Sequence, residues 1–204
     1  GAWVHGFSAL TSTWSSAPAI PSATFVRGDD WGLFYGSGRV LAYSGLRGSF
    51  AAIEHTVTGV AGASDLFALL SEPAGITAWS AVTADFGGLH RAPLQVTAGG
   101  AVALLHDAAG VRGYSALRQQ IVPLPAVPAS SDVGGVLAYV ETQATGDVFV
   151  FDGRTAGWHA APPGTAAAQP MLTATTLGLA TATETWAFAS AAGGFVPLGG
   201  PSNG

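Results

Sequence analysis

Apolar residues along this chain come in short bursts of four to seven positions, separated by clusters of Gly, Asp, Pro and Ser. The bursts WGLFYG, DLFALLSE, AVALLHD, DVFVFDG and LGLATAT are each followed by a turn-forming group such as SGR, EPAG, DAAG or DGR. Bursts of this length between such punctuators predict strands joined by tight turns. Further upstream stand ATFVRGDD, HTVTGVAGAS, PLQVTAGG and GGVLAYVETQATGD, whose Val and Thr suit a pleated strand. Helix competes at residues 64–72, where Leu and Ala favour it and Ser64 would cap it. Its counterparts elsewhere carry Val, Phe, Tyr and Gly, so the expectation there is also strand.

The bursts repeat. Aligned on an aromatic anchor, six segments coincide: VHGFSALTSTW, VLAYSGLRGSF, ITAWSAVTADF, VRGYSALRQQI, TAGWHAAPPGT and WAFASAAGGF. The anchors are Phe7, Tyr43, Trp79, Tyr114, Trp158 and Phe188, spaced by 36, 36, 35, 44 and 30. Seven positions on, five of the six have a second bulky residue: Trp14, Phe50, Phe86, Ile121 and Phe195, with Thr165 in the fifth. A period in this range signals a solenoid or propeller. The expectation is an all-β fold, a β-propeller of four-stranded antiparallel blades, formed as a single domain over residues 1–204. Six anchor hairpins but only five upstream hairpins imply about six blade positions with the first incomplete. Each small sheet would be covered by its neighbours, the anchor and its partner filling the space between blades. Ser8, Ser44, Ser80 and Ser115 follow their anchors directly. Recurring in this way, they are expected to satisfy a backbone group in their own or the next blade rather than to act as nucleophiles.

At these residues the chain resembles the kelch-type repeat, where a strand ending Gly-Gly precedes a tyrosine and a tryptophan follows it by seven. FSALTSTW carries the spacing with Phe7 and Trp14; YSGLRGSF, WSAVTADF and YSALRQQI carry it with substituted bulk. LFYGSGRVLAY resembles the preceding turn, with Gly36 and Gly38 where paired glycines belong, while VFVFDGRTAGW keeps only Gly153. The resemblance spans nearly the whole chain, with shorter units than is usual in that family. It implies a propeller and, functionally, a binding platform.

Composition narrows the partners. Of 204 residues, 49% are hydrophobic and 9% charged, with a net charge of −5. About 70% of the unfolded surface can be buried in a chain of this size, so a self-sufficient core is available. Lysine is absent and the seven arginines are scattered, which leaves no basic stripe for nucleic acid. No apolar run reaches the length of a membrane span. Cysteine is absent, removing disulfides and thiolate chemistry. No basic segment leading into a long apolar stretch opens the chain. A surface poor in charge and rich in Gly, Ala, Ser and Thr suits a secreted or cell-surface protein.

In a propeller, second-to-third and fourth-to-first connections emerge at one end. There the pattern places Glu54, His55, Glu72, His90, Arg91, His106, Asp107, Asp152 and Arg154 as the candidate ligand-binding rim. Asp29 and Asp30, Asp65, Asp85 and Asp147 fall to the opposite end as turn residues. His55, His90 and His106 occupy comparable positions but lack metal-ligand spacing, so no metal or other cofactor is expected. No catalytic residue is singled out either. The cysteine of a copper-radical site is missing, the sialidase box is matched once and only by half in SSDVGGVL, and no phosphate loop or Gly-x-Ser-x-Gly elbow occurs. The expected protein is therefore a non-enzymatic, extracytoplasmic module recognising a protein or glycan on one loop face, with Trp31 or Trp158 as sugar-stacking rings. A self-assembling subunit with its open first blade completed by another copy, and a glycan-active hydrolase or lyase with a cross-blade acidic site, are the alternatives.

Overall fold

A computed structural model describes residues 1–166 and 168–200. They form twenty-two strands, and no helix occurs among them. The first blade is a hairpin of β1 (Trp3–Ser8) and β2 (Thr13–Pro18). The second holds β3 (Thr24–Arg27), β4 (Trp31–Gly36), β5 (Arg39–Ser44) and β6 (Ser49–Ile53); the third β7 (Gly59–Ala63), β8 (Phe67–Glu72), β9 (Gly75–Ser80) and β10 (Asp85–Phe86). The fourth holds β11 (Gln95–Gly99), β12 (Val102–Asp107), β13 (Gly110–Ser115) and β14 (Gln120–Leu124); the fifth β15 (Pro128–Gly134), β16 (Leu137–Thr142), β17 (Val148–Asp152) and β18 (Gly157–Ala160). The sixth holds β19 (Gln169–Leu172), β20 (Thr176–Ala180), β21 (Thr185–Ala189) and β22 (Gly194–Gly199). Five blades are four-stranded antiparallel meanders and the first has two strands, so the chain is all-β and of the β-propeller class. Blades one to three belong to one compact unit, Gly1–Pro93, and blades four to six to another, Leu94–Gly204.

Each sheet's alternation supplies two apolar faces, and the buried clusters lie between consecutive blades. In the first unit Trp31, Leu33, Val40 and Ala42 of blade two meet Ala68, Leu70, Trp79 and Ala81 of blade three. In the second unit Val102 and Leu104 of blade four meet Val140 and Phe151 of blade five, whose Leu137 and Val150 meet Leu177 and Phe188 of blade six. The anchor stands on the third strand and leans on the preceding blade. A Cβ built on Gly6 would lie 2.5 Å from the Tyr43 ring, and one on Gly113 would lie 2.5 Å from Phe151. Small residues just before the anchors thus let the next anchor approach closely.

The fifth repeat corrects the sequence reading. Phe151, not Trp158, is its anchor: it lies on β17 and pairs across the hairpin with Trp158 on β18. Anchors at 7, 43, 79, 114, 151 and 188 are then spaced by 36, 36, 35, 37 and 37, and all six have bulk at +7. The five aromatic pairs share one geometry: Phe7–Trp14, Tyr43–Phe50, Trp79–Phe86, Phe151–Trp158 and Phe188–Phe195 have centroids 4.9–5.2 Å apart. Tyr114 pairs with Ile121 in the same register. The turns repeat as well. Ser12, Gly48, Ala84, Gln119, Ala156 and Gly193, each five after its anchor, have φ between 53° and 66°.

Candidate functional site

Three of the serines after the anchors, Ser8, Ser44 and Ser115, are latches between blades. Ser8 donates to Gly45 C=O, Ser44 to Ala81 C=O and Ser115 to Gly153 C=O, each at 2.5 Å. Each acceptor lies two residues past the next anchor. The same hydroxyl oxygens accept the turn amides of Thr11, Arg47 and Arg118. A hydroxyl is both donor and acceptor, which is what this double duty requires. In blade five Asp152 stands where the serine belongs, and a carboxylate cannot donate. The bond is reversed: Ser190 Oγ donates to Asp152 Oδ1 at 2.6 Å, and Arg154 N–H donates to the same atom at 3.0 Å.

Asp152 and Arg154 therefore leave the candidate rim. They sit in a third-to-fourth turn, at the end opposite to second-to-third connections, and Asp152 is fully buried. Shifting the fifth anchor by seven residues moved them. Asp147 moves the other way, into the second-to-third connection between β16 and β17. The proposed sugar-stacking rings are also in use elsewhere. Trp31 is buried with Nε1 donating to Ser64 C=O, and Trp158 packs at the blade four–five contact with Nε1 donating to Val122 C=O.

In the first unit the remaining rim residues come together in pairs. His55 Nδ1 lies 2.8 Å from Glu72 Oε1, and Arg39 Nε lies 3.3 Å from Glu54 Oε1. His90 serves through its backbone, exchanging two 2.8 Å bonds with Ile76. Arg91 follows on the exposed linker to β11. In the second unit Arg112 Nε lies 3.3 Å from Asp107 Oδ2, and both side chains are largely buried. His106 is half-buried with Nε2 unpartnered, and burial lowers its pKa from the usual imidazole range. Among the described residues no group of three or more His, Asp or Glu is placed to hold a metal ion. Within each unit these charged pairs thus join near neighbours: Arg39 with Glu54, His55 with Glu72, and Asp107 with Arg112.

What this end offers instead is shape. Gln143 N–H donates to Val127 C=O, tying the second-to-third turn of blade five to the linker after β14. Between them lies a groove of about 480 Å³ lined by Pro125, Ala126, Val127 and Phe149 together with Thr142, Gln143, Thr145 and Asp147. A smaller hollow of about 150 Å³ bounded by Asp107, Arg112 and Pro123 shares Pro125 with it. Sequence reasoning missed the groove because its residues are mainly apolar; the signal that was available is the run PLPAVPAS, too proline-rich for a central strand.

No protein-family model matches the chain, and no curated protein matches it. Solved structures that it resembles include the CRINKLY WD40 ectodomain of the Arabidopsis thaliana receptor kinase ACR4, at 11% identity over 98% of this chain and 79% of that one, TM-score 0.40. The ectodomain of the Physcomitrella patens receptor kinase CR4 is similar at 14% identity over 86% and 53%, TM-score 0.38. The N-terminal domain of Nup159 is similar at 9% identity over 88% and 61%, TM-score 0.36. The chain thus spans about three fifths of the Nup159 domain and half of the CR4 ectodomain. The fold class rests on the strand pairing described above. Among the described residues no helix is long and apolar enough to cross a membrane.

Proposed function

We propose that this chain is a non-enzymatic binding module, kelch-like in its repeat and displayed outside the cytoplasm, that holds an extended segment of a protein ligand on the loop face of its second unit. One observation carries the reading: the groove of about 480 Å³ between residues 125–127 and 142–149, whose lining joins Pro125, Ala126, Val127 and Phe149 to a few polar residues, Asp147 among them. Ligand sites of this kind combine an apolar body with few orienting polar groups. Asp147 and the Thr145 hydroxyl it accepts at 2.6 Å supply those groups. The sparse surface charge suits display outside the cell. Peptides selected from a random displayed library on this chain test the proposal. Val127→Asp, at an exposed position, is expected to weaken the selected peptides at least tenfold without lowering Tm. Peptides that bind the variant equally well would refute the groove. Protease digestion of intact source cells tests the location: the chain should be cut before cytoplasmic markers are.

A glycan reading is favoured by a second concavity, of about 560 Å³ beside Phe7, Leu10, Asp29 and Asp30. Exposed Phe7 lines it beside the carboxylates of Asp29 and Asp30, and its ring pairs with exposed Trp14, which offers a stacking platform next to the concavity. A thermal-shift panel of oligosaccharides tests it, with responses expected to vanish in Trp14→Ala.

A further inference from the structure

The groove between residues 125–127 and 142–149 carries a charge of one sign. Blades four and five, which form it, are both complete four-stranded sheets. One charged side chain lines it, that of Asp147, and this residue is exposed. Main-chain bonds close the loop that presents it: Thr142 N–H donates to Asp147 C=O and Gly146 N–H to Thr142 C=O, each at 2.9 Å. Gly146 sits at φ 71°, which glycine adopts without strain. The carboxylate is thus held on a fixed turn at the start of β17. No basic residue answers it locally. From residue 119 to 153 the sequence has four acidic residues, Asp132, Glu141, Asp147 and Asp152, and neither Lys, Arg nor His. Arg112, beside the adjoining hollow, is already paired with Asp107.

The polar groups around Asp147 are oriented toward it. Thr145 Oγ1 has one proton and donates it to Asp147 Oδ2 at 2.6 Å. The Thr142 hydroxyl, 2.8 Å from Thr145 Oγ1, must therefore be the donor of that second bond. Both protons point along the relay to the carboxylate, so the two hydroxyls leave lone pairs, not protons, to a ligand. The linker opposite is also poor in donors. Pro125 and Pro128 have no N–H, and Ala126 N–H is spent on Leu124 C=O at 2.8 Å. A carboxylate offers about four lone-pair sites, of which the Thr145 hydroxyl takes one. Room remains for a charged, multiply donating head group.

We propose that the groove selects protein segments carrying a lysine or arginine, whose cationic head pairs with Asp147 while its methylene stem and a neighbouring apolar side chain lie against Pro125, Val127 and Phe149. The proposal rests on the groove reading above and adds to it the charge of the ligand. Charge complementarity dictates the occupant. Long basic side chains cover apolar surface with their stems and keep the head at a polar group, which matches a lining of Pro125, Val127 and Phe149 beside one carboxylate. An acidic segment would meet Asp147 with no cation to offset it, so the same group that attracts basic ligands rejects acidic ones. The net charge of −5 acts in the same sense at longer range, drawing cationic segments toward the chain.

The probe is a random displayed peptide library, selected at low salt in parallel on the chain and on Asp147→Asn. Asparagine keeps an oxygen to accept from Thr145 and removes only the charge. Peptides selected on the chain should be enriched in Lys or Arg, and those selected on the variant should not. Synthesised winners are expected to bind Asp147→Asn about fivefold more weakly, the upper range for an exposed ion pair. They should lose as much when their basic residue becomes glutamine, and little more when both changes are combined. Their affinity should fall as salt is raised, a dependence that Asp147→Asn abolishes. Winners weakened by Val127→Asp but indifferent to Asp147→Asn would keep the groove and overturn this proposal, as would winners without basic residues or losses that simply add. A library that yields no binder, or binders indifferent to both substitutions, would remove the groove and the proposal together.

Discussion

Phe7–Trp14 in blade one and Trp79–Phe86 in blade three are the same device in different surroundings. Spacing, register and ring separation agree within 0.2 Å. Yet Trp79 is wholly buried, whereas Phe7 is 48% and Trp14 72% exposed. The repeat therefore encodes a hairpin and its ring pair locally, but the burial of that pair comes from a neighbouring sheet. Stability follows the neighbour, not the motif.

Truncation should split the two pairs most. Trp79→Ala opens a cavity between blades two and three and is expected to cost about 3–5 kcal/mol. Trp14→Ala removes a ring already in solvent and should cost under about 1 kcal/mol in the same urea titration. Similar losses would break the comparison.

The latches come next. Ser190→Ala leaves the buried Asp152 carboxylate without its hydroxyl donor and should cost about 2–3 kcal/mol, read by thermal unfolding. Ser115→Ala, which orphans only a neutral carbonyl, should cost about 1 kcal/mol.

Alkaline titration sharpens the contrast between covered and half-covered anchors. Burial pushes the Tyr114 phenol far above its usual range and raises Tyr43 as well. A raised folded-state pKa favours the neutral form, so this contribution is full below about pH 10 and falls as pH rises, because the unfolded chain releases the proton first. Tyr114→Phe should flatten the loss of stability above that pH more than Tyr43→Phe does.

The smallest effect should be indifferent to cover. Ala84 and Ser12 both hold φ near 55° in their turns. Replacing either with glycine should stabilise by roughly 0.5 kcal/mol, relief of left-handed strain offset by lost chain stiffness. A gain in one context only would show that the turn is not autonomous.

Much of this was legible in the letters. The aromatic period gave the strands, the incomplete first blade and the latching serines, because bulk between sheets must recur wherever sheets stack. The fifth repeat was misframed because its anchor and partner are both aromatic, and because Asp152 replaces the serine that marks the frame elsewhere. Trp31 could not be placed as inward or outward by type alone, since a tryptophan suits a blade contact and a sugar platform equally. The groove at 125–149 depends on how a linker lies against a turn, which no strand periodicity reports.

The central claim is that, within each unit, a blade's protection comes from the neighbouring sheet laid upon it. Residue-resolved amide hydrogen exchange on the isolated chain tests it most directly. The account predicts slow exchange in β8, β9, β12, β16 and β17, near the global unfolding limit, and exchange in β1 faster by orders of magnitude at Trp3, His5 and Phe7. Equal protection in β1 and β9 would contradict it.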